Sequence, residues 1–238
     1  MLPPTAPDHG LDLPPARLVL MPERAAFDPA TGTLFVADLH LGKAAVFRAR
    51  GIPVPRGSTA DTLARLGDAV TRSGATHVAV LGDLLHARES RGTATVDAVA
   101  DWRARHPQVA WSVVEGNHDR HAGRLHASLG IRTVDEPFVA GPLHGVHDPA
   151  DAVDTPDTWT LAGHVHPVVT LRSRHDRMRL PCFWRRGRLL VLPAFGAFTG
   201  GHDVTRLPGD DVFVVAGTRV APLHARPAPH RPVADPPG

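Results

Sequence analysis

His77-Val78-Ala79-Val80-Leu81-Gly82-Asp83 is the stretch whose reading decides the fold. It is an apolar run of strand length that stops at a glycine and then offers a carboxylate. Short apolar runs closed by turn residues read as strands buried on both faces. Buried strands of an α/β sheet deliver functional side chains at their carboxyl ends. Three more stretches do the same. Phe35-Val36-Ala37 runs into Asp38-Leu39-His40, Trp111-Ser112-Val113-Val114 leads to Gly116-Asn117-His118-Asp119, and Thr158-Trp159-Thr160-Leu161 leads to Gly163-His164-Val165-His166. A fifth, Leu143–Val146, ends at His147. Carboxylate, imidazole and amide oxygen are the donors that suit hard or borderline divalent cations. Four strands bringing such donors to one edge is poorly explained by packing.

Outward from these stretches, strands and helices alternate. The spacing predicts strands at Arg17–Met21, Leu34–Ala37, Val78–Leu81 and Val109–Val114. It predicts helices at Thr59–Thr71, where Leu63, Leu66 and Val70 share a face, at Thr93–Arg105, and at Arg120–Leu129 before Gly130. From Ile131 onward helices give way to short strands at Thr133–Val134, Leu143–Val146, Thr158–Leu161, Val168–Leu171, Leu180–Trp184, Leu189–Leu192 and Val212–Val215, with a hairpin turn at Arg186-Gly187. An α/β first half and a β-rich second half point to two sheets packed face to face, flanked by helices, in a single domain. Residues 1–16 and 224–238 are rich in proline and lack apolar periodicity, so both are expected as tails around a domain at 17–223.

Composition bounds the function. The 238 residues suffice for one sizeable core. No apolar run approaches the length of a membrane span, and Met1 to Pro15 has neither the basic start nor the apolar centre of a secretory leader. One cysteine excludes an internal disulfide and fits a cytoplasmic setting. The pI of about 9.4 overstates the charge, since the net charge is only +2. Lys43 is the sole lysine and tyrosine is absent, so little titrates between neutrality and the arginines. Arginine placement is more telling. Arg48, Arg50 and Arg56 follow the first metal-type motif, Arg88 and Arg91 the second, and Arg120 the third. Loops at strand ends therefore bring cations around the donors, as a phosphate backbone requires. Of these, Arg48, Arg50 and Arg88 are the candidate substrate-binding residues. An aromatic content of 5% provides no stacking stripe for single-stranded bases.

Two divalent ions about 3.5–4 Å apart need one carboxylate central to both, a place that falls to Asp83. Asp38 and His40 stand two apart, where side chains alternate, but a bend after Ala37 can turn both to one ion. His164 and His166 repeat that spacing, and Gly163 allows close backbone approach. The fourth stretch offers two histidines. His147 ends its strand before a turn and is read as the ligand, with His144 as the alternative.

The whole pattern, D-x-H, G-D, G-N-H-D, H and G-H-x-H from Asp38 to His166, resembles the calcineurin-like metallophosphoesterase superfamily. The resemblance implies one ion on Asp38, His40, Asp83 and His166, and the other on Asp83, Asn117, His147 and His164. It makes His118 a catalytic residue beside the scissile phosphate, protonating the leaving oxygen, with a metal-bridging hydroxide attacking in line. Within Gly82-Asp83-Leu84-Leu85-His86, the last residue is similar to the histidine that double-strand-break repair nucleases carry there. That makes His86 a second catalytic candidate, or else a cap on the following loop. Asp38-Leu39-His40-Leu41-Gly42-Lys43, Phe47 to Pro55, Leu180 to Trp184 and Leu192 to Gly201 together resemble the bacterial ligase-associated DNA damage response endonucleases. That implies a manganese-dependent DNA phosphodiesterase in DNA repair, acting beside an ATP-dependent DNA ligase and a helicase. The rival functions are a phosphatase or small cyclic-phosphodiester hydrolase on the same site, and a non-enzymatic scaffold. Cys182 has no partner set for a nucleophile and is expected in the core. Asp119 is expected to orient its loop and not to bind metal. Gly200-Gly201 lacks the Lys-Ser/Thr of a phosphate loop.

Overall fold

A computed structural model describes residues 8–54, 58–123, 127–172 and 176–223. The chain opens with β1 (His9–Leu13), β2 (Ala16–Met21), β3 (Ala25–Asp28) and β4 (Thr33–Val36), an antiparallel meander. Two helices follow, α1 (Lys43–Ala49) and α2 (Ser58–Ser73). Then β5 (His77–Leu81), α3 (Thr93–Arg105), β6 (Ala110–Val114), α4 (Asn117–Ala122) and β7 (Ile131–Val134) add parallel strands to β4 in the order β4-β5-β6-β7. The second sheet is built from β8 (Phe138–Ala140), β9 (Leu143–Val146), β10 (Trp159–Ala162), β11 (Pro167–Arg172), β12 (Arg177–Arg186), β13 (Leu189–Val191) and β14 (His202–Asp203). Its order is β14-β11-β12-β13-β10-β9-β8, with β15 (Asp211–Ala216) on β12 and β16 (Arg219–Pro222) on β15. Within it β9, β10 and β13 are parallel.

The sheets face each other across one apolar layer. Leu18, Leu20, Phe35, Ala79, Leu81 and Val114 of the first meet Phe138, Leu143, Leu161, Phe183, Leu190 and Phe213 of the second. The opposite face of the first sheet carries Leu34, Val36, Val78, Val80, Trp111 and Val113 against Leu63, Leu66 and Val70 of α2 and Val99 and Trp102 of α3. The helical periodicity of the sequence and the two-faced strands thus find their partners in this layer. Each leucine or valine fully buried there contributes roughly 1.5–3 kcal/mol. On the outer face of the second sheet Cys182, Val212 and Val214 form a small cluster with no helical residue in it among the described residues. Cys182 is a buried core residue, as expected.

Several boundaries differ from those read in the sequence. The domain does not begin at Arg17, because His9–Leu13 pairs along its length with β2 and buries Leu11 and Leu13. Pro14 and Pro15 follow the strand and so spare the ladder. The tail at 224–238 and Arg56 lie outside the described residues. The helix expected at Arg120–Leu129 begins three residues earlier, at Asn117, and stops at Ala122, where Gly123 leaves helical geometry with φ 79°. Helix α1 was not anticipated, since its heptad KAAVFRA is too short for periodicity to register.

The carboxyl ends of β4, β5, β6, β9 and β10 gather at one edge of the sandwich. Backbone bonds lock that edge. Asp38 N–H donates to the Gly82 carbonyl (3.2 Å), His40 N–H to Asp83 (2.8 Å) and Gly163 N–H to His147 (3.0 Å). The segment after β13 completes it, with Phe195 N–H donating to Ala37 (2.7 Å) and Gly196 N–H to Asp38 (3.1 Å).

Candidate metal centre

Six non-glycine residues among those described hold φ in the left-handed region, and five are predicted ligands: Asp38 (55°), His40 (46°), Asp83 (50°), His164 (65°) and His166 (52°). Each such residue costs of order 1–3 kcal/mol of strain, held by surrounding structure. The strain has a geometric purpose. In extended backbone Asp38 and His40 would alternate between faces, and so would His164 and His166. The left-handed turns bring both members of each pair to the same side. Two glycines make the approach possible. Gly82 has φ 76°, and a Cβ there would overlap the His147 ring. At Gly163 a Cβ would lie 2.8 Å from Asp38 Oδ2 and 2.8 Å from the Leu81 carbonyl oxygen.

The ligand atoms form two groups that meet at Asp83. In the first, His40 Nε2 is 3.3 Å from His166 Nε2, His166 Nε2 is 3.5 Å from Asp38 Oδ1, and Asp83 Oδ2 is 3.7 Å from His40 Nε2. In the second, His147 Nε2 lies 2.9 Å from Asn117 Oδ1, 3.1 Å from His164 Nδ1 and 3.8 Å from Asp83 Oδ1. One carboxylate thus turns one oxygen to each group. His144, by contrast, sits between Leu143 and Gly145, whose faces point into the inter-sheet layer, and so projects from the other face of β9.

These residues fit divalent cations on their own chemistry. The Asp38 side chain is 0% exposed, yet its Oδ1 has no hydrogen-bond partner, while Oδ2 accepts from His164 N–H at 2.9 Å. An unpaired buried carboxylate oxygen is costly unless it binds a cation. His147 Nδ1–H donates to the Leu81 carbonyl at 3.2 Å, which leaves a lone pair on Nε2 facing the Asn117 oxygen. Facing lone pairs repel unless a cation draws them together, and a backbone carbonyl fixing the far ring nitrogen is how metal-binding histidines are oriented. Burial and the neighbouring Asp38 push the Asp83 carboxyl upward, whereas His147 and His118 oppose this. A cation here would favour the charged form.

A family model for calcineurin-like phosphoesterases matches residues 32–186. The chain belongs to the calcineurin-like phosphoesterase family. Family membership implies a divalent metal site of two ions and makes the chain a metal-dependent phosphoesterase. The solved structure of Pseudomonas putida nuclease MPE is 39% identical, with a TM-score of 0.78, over 91% of this chain and 100% of that one. Yfce, a phosphoesterase from E. coli, is 14% identical with a TM-score of 0.40, over 78% of this chain and 88% of its own. No curated protein matches the chain.

The rim of this calcineurin-like site carries the remaining predicted residues. His118 and His86 stack with ring centroids 4.9 Å apart, and both rings meet His40 edge-on. The His118 side chain is 37% exposed, and its Nε2 lies 4.0 Å from Asp83 Oδ2. Burial, then the Lys43 cation, His118 and Arg50, lower His86 to about 4. Arg48 and Arg50 are exposed at the end of α1, and Arg88 is exposed at the start of a 3-10 turn, Arg88–Arg91, that packs against both α1 and α4. Asp119 stays out of the centre, as expected. Its carboxylate accepts from Leu84 N–H (3.1 Å), Leu85 N–H (2.9 Å) and Gly116 N–H (3.2 Å), tying the second and third motifs together. Burial still raises it to about 6.

Three residues of the site escaped the sequence reading. Lys43, half-buried, is lowered by desolvation and held up by Asp83 and Asp38. Its position straight after Asp38-Leu39-His40-Leu41-Gly42 was the available signal. Glu136 Oε1 accepts from His147 N–H at 2.7 Å, and Asp148 Oδ2 lies 3.8 Å from His164 Nε2. Neither stands in a motif.

Proposed function

We propose that this chain hydrolyses phosphodiester bonds in DNA, as an endonuclease of DNA repair in the cytoplasm, using two divalent ions. Mn²⁺ best suits the mixture of carboxylate, imidazole and amide oxygen. The observation that carries the reading is the Asp83 carboxylate, one oxygen directed at each ligand group. The 39% identity to a protein described as a nuclease supports a nucleic acid as the polymer.

When bound, the ions supply Lewis acidity to the phosphoryl oxygens and activate water for in-line attack. The chain does the rest. Asp38, His40, Asp83 and His166 would hold one ion, and Asp83, Asn117, His147 and His164 the other. Only two carboxylates face two dications, so the centre keeps surplus positive charge for an anionic substrate. His118 Nδ1–H donates to the His86 carbonyl at 2.8 Å. Its Nε2 is therefore the nitrogen directed at substrate, and it carries a proton to give only as the imidazolium. His86, held neutral, packs against that ring and keeps it placed. Lys43, Arg48, Arg50 and Arg88 offer charge to the flanking backbone. The resemblance to ligase-associated endonucleases adds an ATP-dependent DNA ligase and a helicase as proposed partners.

The test is Mn²⁺-dependent cleavage of supercoiled plasmid, single-stranded DNA and a model diester, beside Asp83→Asn. Loss of metal and of all activity together in Asp83→Asn is expected. A wild-type protein that hydrolyses the model diester but neither DNA would overturn the DNA reading.

A further inference from the structure

Arg24 is the sixth residue in the left-handed region, with φ 70°, and the only one that is not a predicted metal ligand. That conformation closes the three-residue turn between β2 and β3, where Arg24 N–H donates to the Met21 carbonyl at 2.9 Å. Its Nη1 donates to the carbonyls of Ala194 (3.2 Å) and Gly196 (3.4 Å), the segment that closes the metal edge. Among the described residues its other two guanidinium nitrogens donate to nothing, and no carboxylate lies within ion-pair distance. Its neighbour Glu23 is taken by Arg72 at 2.8 Å. Burial lowers the Arg24 guanidinium, with no acid to offset it.

The guanidinium lines a cavity of about 240 Å³ shared with His166, Pro167, Arg179, Thr199, Gly200 and Gly201, among others. His166 is the common wall between this cavity and the metal centre. Arg179 donates to the Gly201 carbonyl and lies 3.3 Å from Asp203, so its charge is largely offset. Arg24 therefore supplies the unbalanced charge. Gly200 and Gly201 add backbone to the same wall. A strongly held cation, spare donors and a volume fit for a tetrahedral oxyanion mark an anion subsite one wall away from the reacting phosphate.

We propose that this cavity binds the phosphate next to the scissile one, so that Arg24 makes the enzyme prefer a chain of at least two phosphodiesters. The proposal rests on the DNA reading above. It assigns to Gly200-Gly201 the role of lining an anion site without the lysine of a phosphate loop.

The experiment uses the Mn²⁺-loaded full chain and tetranucleotides with a neutral methylphosphonate on one or the other side of the central phosphodiester, whose cleavage is followed by its own products. In the wild type, neutralising one side should raise KM roughly 10- to 100-fold, the range for a hydrogen bond to a charged group, and neutralising the other side should do much less. Arg24→Gln should raise KM for the native tetranucleotide by a similar factor and abolish the difference between the two sides. Arg24→Lys should restore part of it. As a readout without catalysis, the salt slope for binding a labelled single strand to metal-free protein should shrink by about 0.7 in Arg24→Gln. If wild-type protein cleaves tetranucleotides but KM ignores the methylphosphonate on both sides, the subsite is wrong and the DNA reading survives. If it cleaves no oligonucleotide, both fall. The ligand substitution decides the matter even if Arg24→Gln loosens the 194–196 segment.

Discussion

The backbone carbonyl of His86 accepts a hydrogen bond from the ring Nδ1–H of His118 at 2.8 Å. The contact joins the second metal motif to the third and decides which nitrogen of His118 meets the substrate. The same residue's backbone N–H donates to Asp83 Oδ1 at 2.9 Å, and any residue at 118 can make that bond. His118→Ala should therefore lower turnover by about 10²–10⁴ while both ions remain bound. Turnover and elemental analysis on the same preparation check this. Loss of one metal equivalent in the variant would show that His118 is a ligand.

His147 and His144 stand three positions apart in the chain and on opposite sides of it. His147 is 5% exposed and faces Asn117 and His164, whereas His144 lies on the far face. His147→Ala should abolish activity and weaken one of two metal equivalents, and His144→Ala should leave the metal content intact. Calorimetric titration with Mn²⁺ distinguishes them, and the opposite result would place the ligand on His144.

Acid should destabilise the metal-free protein through its neutral, crowded histidines. His86 falls from 6.5 to about 4, and burial also lowers His40 strongly. The unfolded chain takes up those protons first as pH falls, so stability is lost between about 6.5 and 4. In chelator, the urea midpoint should drop across that window. His86→Gln should make the drop shallower. A slope unchanged by the substitution would mean that His86 titrates normally in the folded state.

Arg48, Arg50 and Arg88 share the exposed rim formed by α1 and the 88–91 turn. Replacing all three with alanine should flatten the salt dependence of duplex cleavage below saturation, by up to about 0.9 per lost phosphate contact. A small diester that reaches only the metals should show little salt dependence in either protein. Initial rates across a salt series measure this. Equal slopes for both substrates, unchanged by the triple substitution, would favour the small-diester hydrolase.

The gathering of the candidate ligands at one edge was legible in the sequence because each donor closes an apolar run, as Asp83 closes His77–Leu81, and strand ends are where α/β sheets present chemistry. The two-sheet division was legible too, from the change at Ile131 between helical and strand spacing. The first strand was not. His9–Leu13 lies among prolines, and its partner β2 supplies the pairing that its own composition does not advertise. Helix α1 was hidden by its length. What tertiary structure alone decided is the splitting of Asp83 between two groups of candidate ligands, the left-handed turns that bring Asp38 beside His40 and His164 beside His166, and the fact that His147 and not His144 faces Asn117 and His164. Those outcomes depend on how two sheets stack and on which backbone carbonyls, such as Leu81 and His86, stand behind each imidazole. Spacing along one strand carries no information about the strand that packs across from it.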